Sequence, residues 1–436
     1  MMMLGCLCYH DSINELNTTT HDKYTSLKKF FHKKEYIPKT HALRDCIIET
    51  DYHQLEDINF DVINKAKENK FFKKNLVDGL CVCAWDGVEL HETSKYIINL
   101  PEREHDNGEI KKYIKYLCAM NVGPRANIMI ATKQMTEKEK ITSKSGKEKA
   151  KTYGETTLMK ELIPIVEDRI GRFVDVHVMD ALYLNVDIMQ EINKRGQYFV
   201  IRMKDDSKII YQDARGLFEN SRPKTKYEIV EIIEEISVQY SKKAKHKDYS
   251  KTKIRTRERQ ITDKKIGEKQ YINTKETHKK NSIKTIKTYE RIIKKIEVWD
   301  DEFEYSTYEK PVRVIRSLEK YWYEGNVHEQ ELYIATNMLD HNVRTIIKIM
   351  HIRWNIENNG FRKLKQQYNL EHIFIGEFNA INYIFQMILL VSNLVELYFK
   401  LRLKERVKYT HIMLKKIFEK QIQSEERIGD LFMGVP

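Results

Sequence analysis

Phe173-Val-Asp-Val-His-Val-Met179 alternates along its length and runs directly into Asp180, and the reading of this stretch decides the fold class. Period-two alternation marks a strand, because successive side chains point to opposite faces. Val174, Val176 and Val178 share a side with Asp180. Upstream, Leu80-Cys-Val-Cys-Ala-Trp85 is a second compact apolar run, ending at Asp86-Gly87, with Val82, Ala84 and Asp86 on one side. Val88 to Leu90 reads as the start of a return strand. Asn127 to Ala131 and Gln197 to Met203 are further strand candidates, while Thr157 to Ile170 and Val186 to Arg195 carry helical spacing. Strands alternating with helices predict an α/β layer with a mostly parallel sheet.

In such sheets ligands collect beyond the carboxyl ends of the strands. Two carboxylates placed there, Asp86 and Asp180, can share hard cations, which take oxygen ligands. Taken singly, each is equally an acid at a strand end meeting solvent. A third element tips the balance. Ile349-Met-His-Ile-Arg-Trp-Asn-Ile-Glu-Asn-Asn-Gly-Phe-Arg-Lys-Leu-Lys365 is predicted as helix, and Arg353, Glu357, Phe361 and Lys365 recur every four residues to form one stripe. An exposed Arg–Glu pair at that spacing contributes only a few tenths of a kcal/mol. This pair lies among Ile346, Ile347, Ile352, Trp354 and Ile356, surroundings that suit a site better than a solvated face.

The charge is uneven. The 436-residue chain has 76 Lys or Arg and 64 Asp or Glu, a balance of +12. Lys242 to Lys295 alone holds 20 basic and 6 acidic side chains, so the remainder is slightly acidic. A solvated face explains short charge runs, but a surplus this concentrated implies a polyanionic partner, and nucleic acid is the simplest. Nothing suggests a membrane. The apolar segment Ala380 to Phe399 is interrupted by Asn382, Gln386, Asn393 and Glu396, which predicts a helix with one wet face rather than a span. Six cysteines are too few for a disulfide framework at this length, and a reducing cytoplasm fits them. Neither a phosphate-cradling glycine loop nor a Gly-x-Ser-x-Gly elbow is present, which argues against nucleotide hydrolysis and esterase chemistry.

Five segments follow. Residues 1–79 read as a helical region, 80–205 as the first part of a catalytic core and 206–335 as a basic, β-rich insertion. Residues 336–378 carry the last helix of the core, and 379–436 a helical C-terminal region ending in a helix over Tyr409 to Gln421. A hairpin is predicted around Gly325-Asn326.

Ala84-Trp-Asp-Gly87, Met179-Asp-Ala-Leu-Tyr183, Tyr198-Phe-Val-Ile-Arg-Met-Lys204, Leu332-Tyr-Ile-Ala-Thr-Asn337 and Arg353-Trp-Asn-Ile-Glu357, in this order, resemble the Asp-Asp-Glu transposases of bacterial insertion sequences, of the "insertion sequence four" type. The resemblance covers about Thr40 to Leu403. It implies an RNase H-like mixed sheet flanked by helices, interrupted by a β-rich insertion before the last catalytic helix. It further implies that Asp86, Asp180 and Glu357 are a catalytic triad holding two Mg²⁺ ions, with Mn²⁺ able to substitute, and that Asp86 bridges them. The partner is double-stranded DNA, both transposon end and target, bound by a homodimer in the synaptic complex. The implied activity is strand cleavage and strand transfer at terminal inverted repeats, in the cytoplasm with the nucleoid. An inactive DNA-binding derivative is the alternative.

The same resemblance gives Arg353, Lys365, Lys204 and Arg202 to DNA, and makes Trp299 or Trp322 the residue that stacks on an extruded base; core packing is the competing reading for both tryptophans. Two departures stand out. Met350 occupies the position of the family's tyrosine, and seven residues separate Glu357 from Lys365 where the family has six, so Lys363 is an alternative distal lysine. Cys81 and Cys83 share a strand face without a second ligand pair and read as core. His177 and Asp175 face away from Asp180.

Overall fold

The computed structural model describes residues 2–7, 10, 12–22, 38–137, 141–142, 148–149, 154–204, 208–240, 249–260, 274–280, 283–323, 326–401 and 413. The C-terminal helix expected over Tyr409 to Gln421 lies outside these, apart from residue 413, as does part of the basic segment. The chain divides into two units, one formed by Met1–Phe199 with Lys348–Pro436 and the other by Val200–Ile347.

The first unit begins with four helices, α1 (Met2–Leu7), α2 (Ile13–Asp22), α3 (Thr40–Glu49) and α4 (His53–Glu68). The strands β1 (Val82–Thr93), β2 (Glu102–Glu104), β3 (Ile110–Val122) and β4 (Asn127–Gln134) follow, then a short hairpin of β5 (Ile141–Thr142) and β6 (Glu148–Lys149). Helix α5 (Glu155–Ile170) leads to β7 (Val176–Met179), a tight turn over Ala181–Tyr183, and α6 (Val186–Lys194). β1 pairs antiparallel with β3, and β3 with both β4 and β2, whereas β7 pairs parallel with β1. Three antiparallel strands, a helix and a strand parallel to the first make the RNase H-like order that the family resemblance implies. The expectation of a mostly parallel sheet is corrected: the β1–β3, β2–β3 and β3–β4 pairs are antiparallel, so the sheet is mixed.

The difference has a physical source. Ile110–Val122 mixes lysines with apolar residues at its start and is apolar without a break from Tyr116 to Met120, so its sequence does not alternate. It forms a strand because β1 and β4 flank it and bury Tyr116 to Met120. Val88 to Leu90 is not a return strand either. It continues β1, in register with β3 until a bulge between Glu89 and His91. Asp86 therefore sits inside a strand rather than at its end. Asp180 does follow its strand directly, as expected.

The unit closes with the end of α8 (Val343–Ile352), a π-helical turn over Ile356–Phe361, α9 (Arg362–Tyr368) and α10 (Phe378–Leu401). Helix α10 is long and apolar enough to cross a membrane but is 78% buried over its apolar window. It packs on α3, α4 and β4. The wet face expected on it is absent. Asn382, Gln386 and Asn393 are buried, and each hydrogen-bonds inside the unit: Asn382 with Gln134 and Tyr116, Gln386 with Glu56 and Thr132, Asn393 with Asn59 and Met129. Polar residues at helical spacing mark either a solvated face or a satisfied buried seam, and the sequence pattern is the same for both.

The second unit carries the end of β8 (Tyr198–Met203), helix α7 (Ile209–Glu219) and an antiparallel sheet. Its strands are β9 (Thr225–Tyr240), β10 (Tyr249–Gln260), β11 (Thr274–Lys280), β12 (Ile283–Phe303), β13 (Val312–Tyr323) and β14 (Asn326–Thr336). Their order is β10-β9-β12-β13-β14-β8, with β11 paired to β12. β13 and β14 form the hairpin expected around Gly325-Asn326.

Candidate active site

Asp86, Asp180 and Glu357 all belong to the first unit. Asp86 is placed by β1, where it opposes Cys118 of β3 and accepts a hydrogen bond from the Gly87 amide at 2.9 Å. Asp180 caps the turn after β7, its Oδ1 accepting the Leu182 amide at 3.0 Å. Such a cap fixes the carboxylate, because the amides at the start of a helical turn have no partner within the turn itself. Glu357 enters from the π-helical turn. Arg353 joins two of the three: its Nη1 is 3.4 Å from Asp86 Oδ2 and its Nη2 donates to Glu357 Oε1 at 2.9 Å. The guanidinium is buried, and among the described residues its Nε finds no hydrogen-bond partner.

Burial pushes the Asp86 carboxyl up to about 7; the Arg353 charge opposes this, while the Asp180 and Glu357 charges add to it. Burial likewise raises Asp180, against the Leu182 amide and Arg353 and with help from Glu155 and Glu357. Two acids that resist ionisation because they are dry and mutually repulsive are suited to a divalent cation, which would replace the missing water and cancel the repulsion. The donors are hard oxygens, the kind Mg²⁺ takes. As placed, Arg353 occupies the space between Asp86 and Glu357. Among the described residues no group of three or more His, Cys, Asp or Glu is spaced to hold a metal.

A fourth acid was not legible in the sequence. Glu155 opens α5 and is buried; it accepts the Tyr183 hydroxyl at 2.5 Å and pairs with Lys115 at 2.7 Å. It also lies against Gly87, where a Cβ would stand 2.6 Å from its carboxylate carbon, so only glycine lets it approach β1. Glu155 thus ties the strand bearing Asp86 to the turn bearing Asp180. At the start of a helix an acid reads as an ordinary favourable charge on the dipole, and no spacing links it to Asp86. On the other face of the sheet His177 is buried between Trp85 and Gln197. The indole donates to Nδ1 at 2.9 Å, so Nε2 carries the proton and donates to the Gln197 side chain at 3.0 Å. This agrees with its orientation away from Asp180.

The remaining expected residues are dispersed. Lys365 lines the same open groove as Asp86 and Glu357, about 660 Å³ in volume, and pairs with Glu371 at 2.7 Å. Lys363 turns instead into the core, paired with Glu396 at 3.1 Å, so it is no substitute for Lys365. Met350 is buried and presents no hydroxyl. Arg202 and Lys204 lie in or next to β8, Lys204 exposed and Arg202 half-buried. Trp299 is buried in the second unit, its indole donating to the Ser221 carbonyl at 2.9 Å and its ring covered by the Arg316 guanidinium. Core packing accounts for it as placed. The Trp322 side chain lies outside the described residues. Cys81, Cys83 and Cys118 are buried free thiols.

Residues 128–394 match the family model "Transposase DDE domain", which covers more than half of the chain and includes Asp180 and Glu357. The chain belongs to this family and is a DNA transposase, a nuclease and strand-transfer enzyme. Among solved structures it is similar to the piggyBac transposase in a synaptic complex with hairpin DNA, with a TM-score of 0.40 and 9% identity, over 97% of this chain and 69% of that one. At that score the likeness carries no functional argument. No curated protein matches the chain.

Proposed function

We propose that the chain is an insertion-sequence transposase of the "insertion sequence four" type. It would cut and rejoin DNA at its element's terminal inverted repeats, with Asp86, Asp180 and Glu357 as the catalytic carboxylates. The observation that carries this reading is the single buried guanidinium of Arg353 shared by Asp86 and Glu357, acids 271 residues apart in sequence, with Asp180 close enough to perturb Asp86. Evenly spread surface ion pairs would not gather three acids around one dry cation.

Asp86, Asp180 and Glu357 would hold two Mg²⁺ or Mn²⁺ ions. Such ions, when bound, activate the attacking oxygen and stabilise the leaving one in an in-line phosphoryl transfer. The chain's own part is positioning. β1 fixes Asp86, the capped turn fixes Asp180, and Glu155 holds the two supports together through Lys115, Tyr183 and the bare Gly87. Arg353 keeps Asp86 and Glu357 facing one another, and Lys365 lends positive charge to the groove. In the first reaction water attacks a phosphodiester at the element's end and a 3′-hydroxyl leaves. In the second that hydroxyl attacks another phosphodiester and expels its 3′-oxygen. The insertion 206–335, with its lysine-rich stretch and Arg202 and Lys204 at its start, would grip the DNA backbone, and two copies of the chain would pair the ends. A cytoplasmic, nucleoid-bound protein is the setting that follows.

The test is direct. Purified protein is incubated with its element's end and Mg²⁺ or Mn²⁺, alongside Asp180→Ala. Wild type is expected to nick and join, and the variant to bind without cutting. Wild-type protein that binds but never cuts would sink the enzyme reading and leave the DNA-binding derivative.

A further inference from the structure

Lys365 lies eight positions after Glu357, and in a regular α-helix that step leaves them about 80° apart around the axis. The observed helix is not regular. The Arg362 amide bonds the Glu357 carbonyl, a five-residue step, and Ile356–Phe361 is π-helical. One π-turn of about 4.4 residues followed by one α-turn uses about eight residues, so Lys365 returns to the face of Glu357. Gly360 allows the wide turn to approach β3, since a Cβ there would stand 3.0 Å from the Met120 sulfur. The same widening carries Arg362 into the groove that Asp86 and Glu357 line.

The charges of the groove can be paired off. Glu89 is bound by Arg103, and Lys365 by Glu371. Arg353 is buried between Asp86 and Glu357. Arg362 is exposed, and no carboxylate lies within ion-pair distance of it among the described residues. It is therefore the positive charge of this groove left with no internal partner, in a lining otherwise dominated by acids. A guanidinium offers a planar fork of donors matched to a phosphate's oxygens.

We propose that Arg362, presented by the π-helical turn, contacts a DNA phosphate beside the carboxylates of the groove. The inference rests on the reading of this groove as the catalytic site. Arg362 supplies the phosphate contact that the buried Arg353 is too occupied to make, and it does so one turn from Glu357, next to where the reacting strand would lie.

The probe is a labelled duplex carrying the element's terminal repeat, titrated by fluorescence anisotropy without divalent cation over a range of KCl. Removing one phosphate-neutralising side chain lowers the slope of log affinity against log salt by about 0.9. Arg362→Gln is expected to reduce the slope by about one unit, and Arg362→Lys to keep it. An unchanged slope in Arg362→Gln, with wild-type affinity at every salt concentration, would overturn the proposal. Cleavage assays run in parallel separate the two failures. Asp180-dependent nicking with an unchanged Arg362→Gln slope refutes only this phosphate contact, whereas wild-type protein that never nicks refutes the catalytic reading without bearing on the slope.

Discussion

At the scale of single residues, His177 shows how a side chain can support a site without facing it. It is buried, accepts from Trp85 and donates to Gln197, so only the neutral tautomer satisfies both neighbours. Burial lowers its pKa from 6.5 to about 4, against the help of Gln197 and with a contribution from Arg195. A depressed histidine binds fewer protons when folded than when unfolded. Its stabilisation is complete above pH 6.5 and is lost as the pH falls towards 4, by about 3 kcal/mol at most. The urea midpoint of wild type is expected to drop across that window, and His177→Gln to show a smaller drop. Parallel curves for the two proteins would show that another group drives the acid sensitivity. The contrast with Glu155 is instructive. His177 sits in a strand whose alternation gives its direction, whereas Glu155 acquires its role only when Gly87, Lys115 and Tyr183 come together in space.

At the scale of elements, α10 and the helix bearing Glu357 carry the main lessons. The amide seam of α10 joins it to α4 and β4 through Asn59, Met129, Thr132 and Gln134. Asn393→Ala would strand the Asn59 side-chain oxygen and the Met129 amide in a buried place and leave the Met129 carbonyl only the longer bond from the Asn59 side chain. Unmade bonds of this kind and the missing volume together are expected to cost about 2–4 kcal/mol. Urea unfolding measures this directly, and a change within about 0.5 kcal/mol would mean that water reaches the seam. The four-residue stripe from Arg353 to Lys365 was visible in the sequence, but its continuity was not. A stripe at that spacing drifts about 40° per step on a regular helix. The turn at Arg353 and Trp354 and the π-turn that follows take up the drift, which a periodicity argument cannot foresee.

At the scale of the whole molecule, charge is the strongest statement. The stretch from Lys242 to Lys295 holds more than the entire net positive charge of the chain. Replacing several of its lysines with glutamine is expected to flatten the salt dependence of DNA binding, by about 0.9 in slope for each phosphate no longer neutralised. A slope equal to that of wild type would place the segment off the DNA.

The sequence by itself determined the class of protein: an α/β core, an acid directly after the strand Val176–Met179, a third acid beside Arg353 and one concentrated basic segment. Alternation, helical spacing and net charge are local or additive, so they survive in one dimension. Only the tertiary structure decided that β1 runs on past Asp86, that Ile110–Val122 is a strand, and that Asn382, Gln386 and Asn393 are buried. It alone sent Lys363 into the core and Arg362 into the groove. Each of these depends on which surface a residue meets across tens or hundreds of positions, and no local pattern encodes that meeting.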